Sequence, residues 1–178
     1  MAGTLASLVL TVEKFELAAD ANYVPSCSVN PVVNCGSVMT TPQAAVFGFP
    51  NSLIGIVGFA VISTIGAALL AGAQFHRWFW IGMQIGVSTA AIFVHWFLVQ
   101  SLYSINALCP YCMIVWAVTI ALFWYVTLTN LVQFAPRQRG KALNGILVYH
   151  SVPPTIWMLT VIALITERFW WYWSTLLR

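Results

Sequence analysis

Four cysteines stand out in an otherwise apolar chain: Cys27 and Cys35, seven residues between them, and Cys109 and Cys112 in Cys109-Pro110-Tyr111-Cys112. A C-x-x-C whose first cysteine opens a helix is more often a redox dithiol than a structural staple. Proline at the first helical position makes Cys109 the N-cap, so its sulfur can accept from the backbone N–H groups of the helix start. The positive end of the helix dipole there favours a thiolate. Cys112 follows three residues on, a turn deeper on the same face, and Trp116 lies four residues beyond it as a wall for a bound ring. A second pair on the same side of a membrane permits a relay, since exchange passes electrons between dithiols through mixed disulfides. An acceptor reached from inside a bilayer is lipid-soluble, which points to a quinone. Blander readings stay open. The C-x-x-C could be a static disulfide or half a metal site, and the loop pair could be a stapling disulfide suited to an oxidising compartment.

The elements that must position these thiols are membrane helices. Of the 178 residues 61% are hydrophobic and only 6% charged, against about 25% charged in soluble domains. Nine tryptophans fit interfacial belts. The basic residues form no cluster of the size nucleic-acid binding requires, so no nucleic-acid partner is expected. Apolar runs predict spans at about 51–73, 78–103, 109–134 and 150–174, each near the roughly 20 residues a crossing needs. The last is uncertain in register between Pro153-Pro154 and Glu167-Arg168. The first apolar run is short, because Glu13, Lys14 and Glu16 follow it at once. It lacks the basic start and cleavage site of a signal peptide, and reads as a first span over about 1–15 that has lost its beginning. The whole chain, 1–178, reads as a single membrane domain, with an outer redox loop over about 16–50.

Loop charges set direction. Arg77 lies between the second and third spans, and Arg137, Arg139 and Lys141 between the fourth and fifth, marking the cytoplasmic side. The loop of Glu13, Glu16 and Asp20 and the link 104–108 then face outward, and all four cysteines with them. His76 and His150 read as topology determinants. Thr41 as a cap, Pro42 at the first helical position and Gly48 as a stop predict a turn or so of helix. With Val38, Met39, Val46, Phe47 and Phe49 it forms an apolar lid on the bilayer surface. Asn51 reads equally as an N-cap and as a donor to a quinone carbonyl. His95, inside the third span, is a functional hypothesis by default, set against a buried histidine bonded to a neighbouring helix.

Assembled, these residues resemble the bacterial members of the vitamin K epoxide reductase family. The likeness rests on Cys27-x7-Cys35, Val38-Met39-Thr40-Thr41, Phe47-Gly48-Phe49-Pro50-Asn51-Ser52 and Cys109-Pro110-Tyr111-Cys112, in order over about 26–134. It implies an all-α integral membrane oxidoreductase of the bacterial cell membrane: a four-helix bundle around a quinone, a peripheral fifth helix, and a short half-helix lid. The quinone would be of the vitamin K type, menaquinone or ubiquinone. It implies that Cys27 meets a thioredoxin-like partner outside the cytoplasm, Cys35 attacks Cys109, and Cys112 faces the quinone. Asn51 would bind the quinone together with Trp116, Thr41 and Met39, and Thr41 would also support the lid. Trp116 stands where vertebrate relatives carry a tyrosine, so that ring's hydrogen bond is not carried over. Some bacterial members continue into a thioredoxin-like domain; the sequence ends at Arg178, so the partner is expected to be a separate protein. The rival quinone-linked thiol oxidase family has its pairs in the reverse order. A thiolate metal-binding protein would want more histidine or methionine near the cysteines than Met39 and Met113, so no metal is expected. A disulfide-stapled structural protein leaves the helix-end C-x-x-C unexplained.

Overall fold

The computed structural model describes residues 1–20, 22–134 and 141–176. In chain order they form α1 (Ala2–Ala19), α2 (Cys35–Met39), a 3₁₀ turn (Pro42–Ala45), α3 (Asn51–Leu70), α4 (Arg77–Gln100), α5 (Pro110–Phe134), α6 (Lys141–Val148), α7 (Val152–Arg168) and α8 (Trp170–Leu176). A π turn, Ser101–Ile105, extends α4 and ends at Asn106 in the left-handed region, φ 56°, a conformation asparagine tolerates better than most residues. Among the described residues there is no β-strand, only one isolated bridge. Asn51–Leu70, Arg77–Ile105 and Pro110–Phe134 are long and apolar enough to cross a bilayer. The protein is an all-α, multi-pass membrane protein.

The described chain falls into two compact units, one of Met1–Gln74 with Phe93–Val118, the other of Phe75–Ile92 with the residues from Thr119 onward. In the first unit α1 packs antiparallel on α3 along a stripe of small residues. A methyl group at Gly3 would meet the Phe59 ring, one at Gly55 would run into Ser7, and Thr11 donates to Ser52 at 2.8 Å. Lipid offers no hydrophobic drive between helices, so close backbone approach and side-chain hydrogen bonds do the work. Helix α1 outruns its apolar stretch by carrying Glu13, Lys14 and Glu16 to Ala19. It can do so because the loop supplies partners: Ser26 for Glu13, and the Ala44 carbonyl for Lys14 at 3.4 Å.

In the second unit α4 and α5 run antiparallel and pair their few polar groups. Gln84 donates to Thr127 at 3.0 Å, and Asn130 donates to Gln84 Oε1 at 2.9 Å and to the Trp80 carbonyl at 3.2 Å. The Arg77 guanidinium stands 4.4 Å from the centre of the Phe134 ring, a cation–π contact. Trp124 and Tyr125 hold His150, through its carbonyl at 2.6 Å and its Nδ1 at 3.2 Å. The C-terminal segment is α7, a break at Phe169, then α8. Arg137, Arg139 and Arg178, used above, lie outside the described residues; Lys141 opens α6.

Candidate functional site

All four cysteines belong to the first unit. Cys27 and Cys35 are joined as a disulfide with Cα atoms 5.6 Å apart, whereas Cys109 and Cys112 are free. The sulfurs of Cys27, Cys35 and Cys109 all lie within 4.8 Å of one another, and Cys35 Sγ is 3.1 Å from Cys109 Sγ. That separation leaves room for no intervening atom. Cys35 and Cys109 are almost fully buried, at 0% and 1% exposure, and Cys27 is buried at 7%.

Local sequence explains the placement. Asn30 bends the chain, its Oδ1 accepting the N–H groups of Val32 at 3.0 Å and Val33 at 2.7 Å, an asparagine turn that leaves Pro31 at the bend. The next residues pair with the link before α5: Leu108 N–H donates to the Val32 carbonyl at 2.7 Å, and Asn34 N–H to the Leu108 carbonyl at 2.9 Å. This parallel bridge of Val33 with Leu108 brings Cys35 beside Cys109. The loop is therefore tied by backbone bonds to the link preceding the C-x-x-C. Asn34 then caps α2, its side chain accepting Ser37 N–H at 3.0 Å. The α2 turn was missed in the sequence, though asparagine before a short apolar run is a signature of a helix start.

Cys109 caps α5. Its carbonyl accepts the Met113 N–H at 3.1 Å, and Pro110 is the first helical residue. The Cys112 thiol, hydrogen-bonded to the Cys109 sulfur, holds the Cys109 thiol below its usual range, helped by the N–H groups of Cys112 and Tyr111. Burial and the negative charge of Glu13 oppose this without overturning it. Cys112 is half-buried and Trp116, one turn further, is buried at 4% exposure.

The lid divides. Val38 and Met39, in α2, are buried at 2% and 5% exposure, while Val46, Phe47 and Phe49 are exposed at 49%, 56% and 44%. Only the second part has the outward apolar character expected of a lid. Its turn is 3₁₀ with Pro42 first, and Gly48 reverses the chain at φ 81°. Thr41 occupies the cap position, but its hydroxyl donates backward to the Val38 carbonyl at 2.8 Å and caps nothing. Asn51 does not cap α3 either. Its Nδ2 donates to the Gln43 carbonyl at 2.7 Å and its Oδ1 accepts Val46 N–H at 3.2 Å, latching the turn to the start of α3. The amide nitrogen carries two N–H groups. One goes to Gln43, and a second can serve a quinone carbonyl, so the donor chemistry fits. Phe47 also contacts Phe93, ring centres 6.1 Å apart, and Phe93 contacts Trp96 at 5.7 Å. His95, half-buried, lies on α4 beside Trp96.

Compared with protein families, residues 1–127 match the vitamin K epoxide reductase family. The chain belongs to that family. The match covers both cysteine pairs, the lid and Asn51. A comparison with curated proteins returned no match. As a vitamin K epoxide reductase-like protein the chain is an oxidoreductase of the membrane, whose family couples thiol–disulfide chemistry to quinones and generally works with thioredoxin-like partners.

The site residue that sequence reasoning overlooked is Glu13, treated there only as a loop charge. It is buried at 6% exposure, and its carboxylate accepts the Ser26 N–H at 3.1 Å and the Ser26 hydroxyl. An acid closing an otherwise apolar helix was the available signal.

Proposed function

We propose that this protein generates disulfides outside the cytoplasm, passing electrons from a separate, reduced thioredoxin-like protein to a membrane quinone. The observation that carries this reading is the 3.1 Å approach of Cys35 Sγ to Cys109 Sγ, beside a formed Cys27–Cys35 disulfide and a free Cys109/Cys112 pair. In the relay, a partner thiolate attacks Cys27, and Cys35 leaves as a thiolate. A second partner thiolate resolves the mixed disulfide, so the partner gains a disulfide and the loop pair two electrons. Cys35 then attacks Cys109 of an oxidised Cys109–Cys112 pair, and Cys112 leaves. Cys27 next attacks Cys35 and releases Cys109. The observed arrangement matches the state just after this transfer, the electrons resting on Cys109 and Cys112. A quinone, of the vitamin K type, supplies a two-electron, two-proton acceptor when bound. Cys112 and Trp116 offer it a half-buried thiol and an aromatic wall, and Asn51 a donor. Met39 and Thr41 support these from the lid side, Met39 by packing and Thr41 by its bond to Val38. Cys109, with its lowered pKa, is a good leaving group in the step where Cys27 displaces it from Cys35.

The redox face is extracytoplasmic and the membrane is the bacterial cell membrane. Arg77 supports this orientation as a basic residue between the second and third spans, held against Phe134 at the C-terminal end of α5. The decisive test is loss of quinone absorbance when reduced thioredoxin-like protein is added to the purified enzyme. No loss in the wild type, with quinone and partner both present, would overturn the reading. Impermeant thiol reagents applied to reduced, intact spheroplasts should label Cys27. Labelling only after lysis would reverse the orientation.

A further inference from the structure

Glu13 sits on α1 where the helix leaves its apolar stretch, with its carboxylate buried and aimed at the loop. Both hydrogen-bond donors of Ser26 serve it: the backbone N–H, at 3.1 Å from one oxygen and 3.3 Å from the other, and the hydroxyl. Ser26 immediately precedes Cys27. The other side of the loop is pinned independently, through Val32, Asn34 and the bridge to Leu108. Cys35 is thus held by the backbone against the link to α5. The Cys27 arm is held from two sides: the Ser28 hydroxyl donates to Asn34 Oδ1 at 3.0 Å and accepts the Gly36 N–H at 3.3 Å, and the Glu13 carboxylate fixes Ser26 to α1. The same charge reaches Cys109, where it opposes the thiolate, so Glu13 lies within electrostatic range of the sulfur cluster.

We infer that Glu13 is a positioning residue for thiol–disulfide transfer: by clamping Ser26 it keeps Cys27 within reach of Cys35. This rests on the relay proposed above. A thiol held beside its partner acts at a high effective concentration, which falls when one of its two restraints is lost and the arm loosens. The step in question is an isomerisation with no net oxidation. Cys109 thiolate attacks Cys35, the Cys35–Cys109 bond forms, the Cys27–Cys35 bond breaks, and Cys27 leaves as a thiolate. The proton lost by Cys109 is balanced by the one Cys27 takes up. With the clamp intact, Cys27 returns to Cys35 and the loop disulfide dominates. Without it, Cys35–Cys109 accumulates and the relay stalls with the loop pair unfinished.

The test uses the full chain with Cys112→Ala, in which Cys27, Cys35 and Cys109 share one disulfide. Protein is equilibrated in an oxidised and reduced dithiothreitol buffer and quenched with acid. The monodisperse fraction is then peptide-mapped for the ratio of Cys27–Cys35 to Cys35–Cys109. Added Glu13→Ala should lower that ratio roughly tenfold, the scale of losing hydrogen bonds to a charged group. Glu13→Gln, which keeps one acceptor oxygen, and Ser26→Ala, which keeps the N–H, should each lower it by roughly threefold. Simple destabilisation moves the ratio the other way. In an unfolded chain the eight-residue separation of Cys27 and Cys35 closes far more readily than the 74-residue one of Cys35 and Cys109. A ratio unchanged, or raised, in the variants overturns the inference. Should the Glu13 variants fail to fold, Ser26→Ala alone decides it. The assay contains neither quinone nor partner, so its failure is separable from a failure of quinone reduction.

Discussion

Cys27 and Cys35 ride on a loop with two short pieces of regular structure among the described residues, the five-residue α2 and the 3₁₀ turn, while Cys109 and Cys112 stand at the start of the 25-residue α5. The loop pair is placed by contacts within the loop and beyond it: the Asn30 turn, the Ser28 hydroxyl between Asn34 and Gly36, two backbone bonds to the link before α5, and the Glu13 carboxylate at Ser26. The helix-end pair is placed by its own helix, with Cys109 at the cap and Cys112 one turn on. A carrier that must meet a partner and then a second dithiol benefits from restraints that can be released one by one. A dithiol that must hold a thiolate beside an apolar site benefits from fixed N–H groups that cost no reorganisation when charge appears. The two pairs therefore differ in which part of the fold determines their reactivity, and substitutions can separate them.

The largest effects come from removing a thiol. Cys112→Ala and Cys35→Ala should each cut partner-driven quinone reduction to background, a loss on the order of a thousandfold or more, as when a nucleophile is deleted. The two are told apart on non-reducing gels: Cys35→Ala should trap Cys27 in a mixed disulfide with the partner, and Cys112→Ala, which keeps Cys35 to resolve that bond, should not. Full turnover without Cys27 and Cys35 would make the loop pair a mere staple and erase the comparison.

Removing Cys109 alone sharpens it. Cys109→Ala should leave Cys112 as a thiolate against an added oxidised quinone, giving a charge-transfer absorbance that acid abolishes by protonating the sulfur. The band should vanish in Cys112→Ala. A band that survived in Cys112→Ala and vanished in Cys109→Ala would mean the roles within the C-x-x-C are reversed.

Asn51→Ala should weaken quinone binding roughly tenfold, the scale of one lost buried hydrogen bond with its partner left unpaired. The Cys27–Cys35 disulfide should persist, since the contacts of Asn51 are with Gln43 and Val46. Titration of quinone fluorescence quenching reads the first effect and thiol counting the second.

A pH dependence follows from the Cys109 environment. Because its pKa is lowered chiefly by the Cys112 thiol, alkylation of reduced Cys109 should switch on at a lower pH than for an ordinary cysteine. With Cys112→Ala the midpoint should move upward, since the first cause is removed while burial and the Glu13 charge remain. A midpoint unmoved by Cys112→Ala would assign the effect to the helix N-terminus instead.

The smallest effect tests the loop scaffold. Asn34→Ala removes the α2 cap and should lower stability by about 1 kcal/mol, read as a lower Tm in detergent, with Cys109 alkylation unchanged.

The helix-end site was legible in the sequence. Cys109-Pro110-Tyr111-Cys112 at the head of an apolar run states a cap, a first helical residue and a thiol one turn on, because helix capping is a local property of a few consecutive residues. The 3₁₀ turn at Pro42 and the reversal at Gly48 were legible for the same reason, and the apolar runs announced α3, α4 and α5 through length and composition alone. The likeness that identifies the family also lay in residue types and order. What the sequence left open are the associations of residues far apart in the chain. Val33 pairs with Leu108, Thr11 with Ser52 and Glu13 with Ser26, and none of these pairings has a local signature. Thr41 and Asn51 show the limit from the other side: each has the chemistry of a cap, yet Thr41 turns to Val38 and Asn51 to the lid. A polar side chain takes whichever partner the packed chain brings within reach, and only the tertiary structure decides which that is.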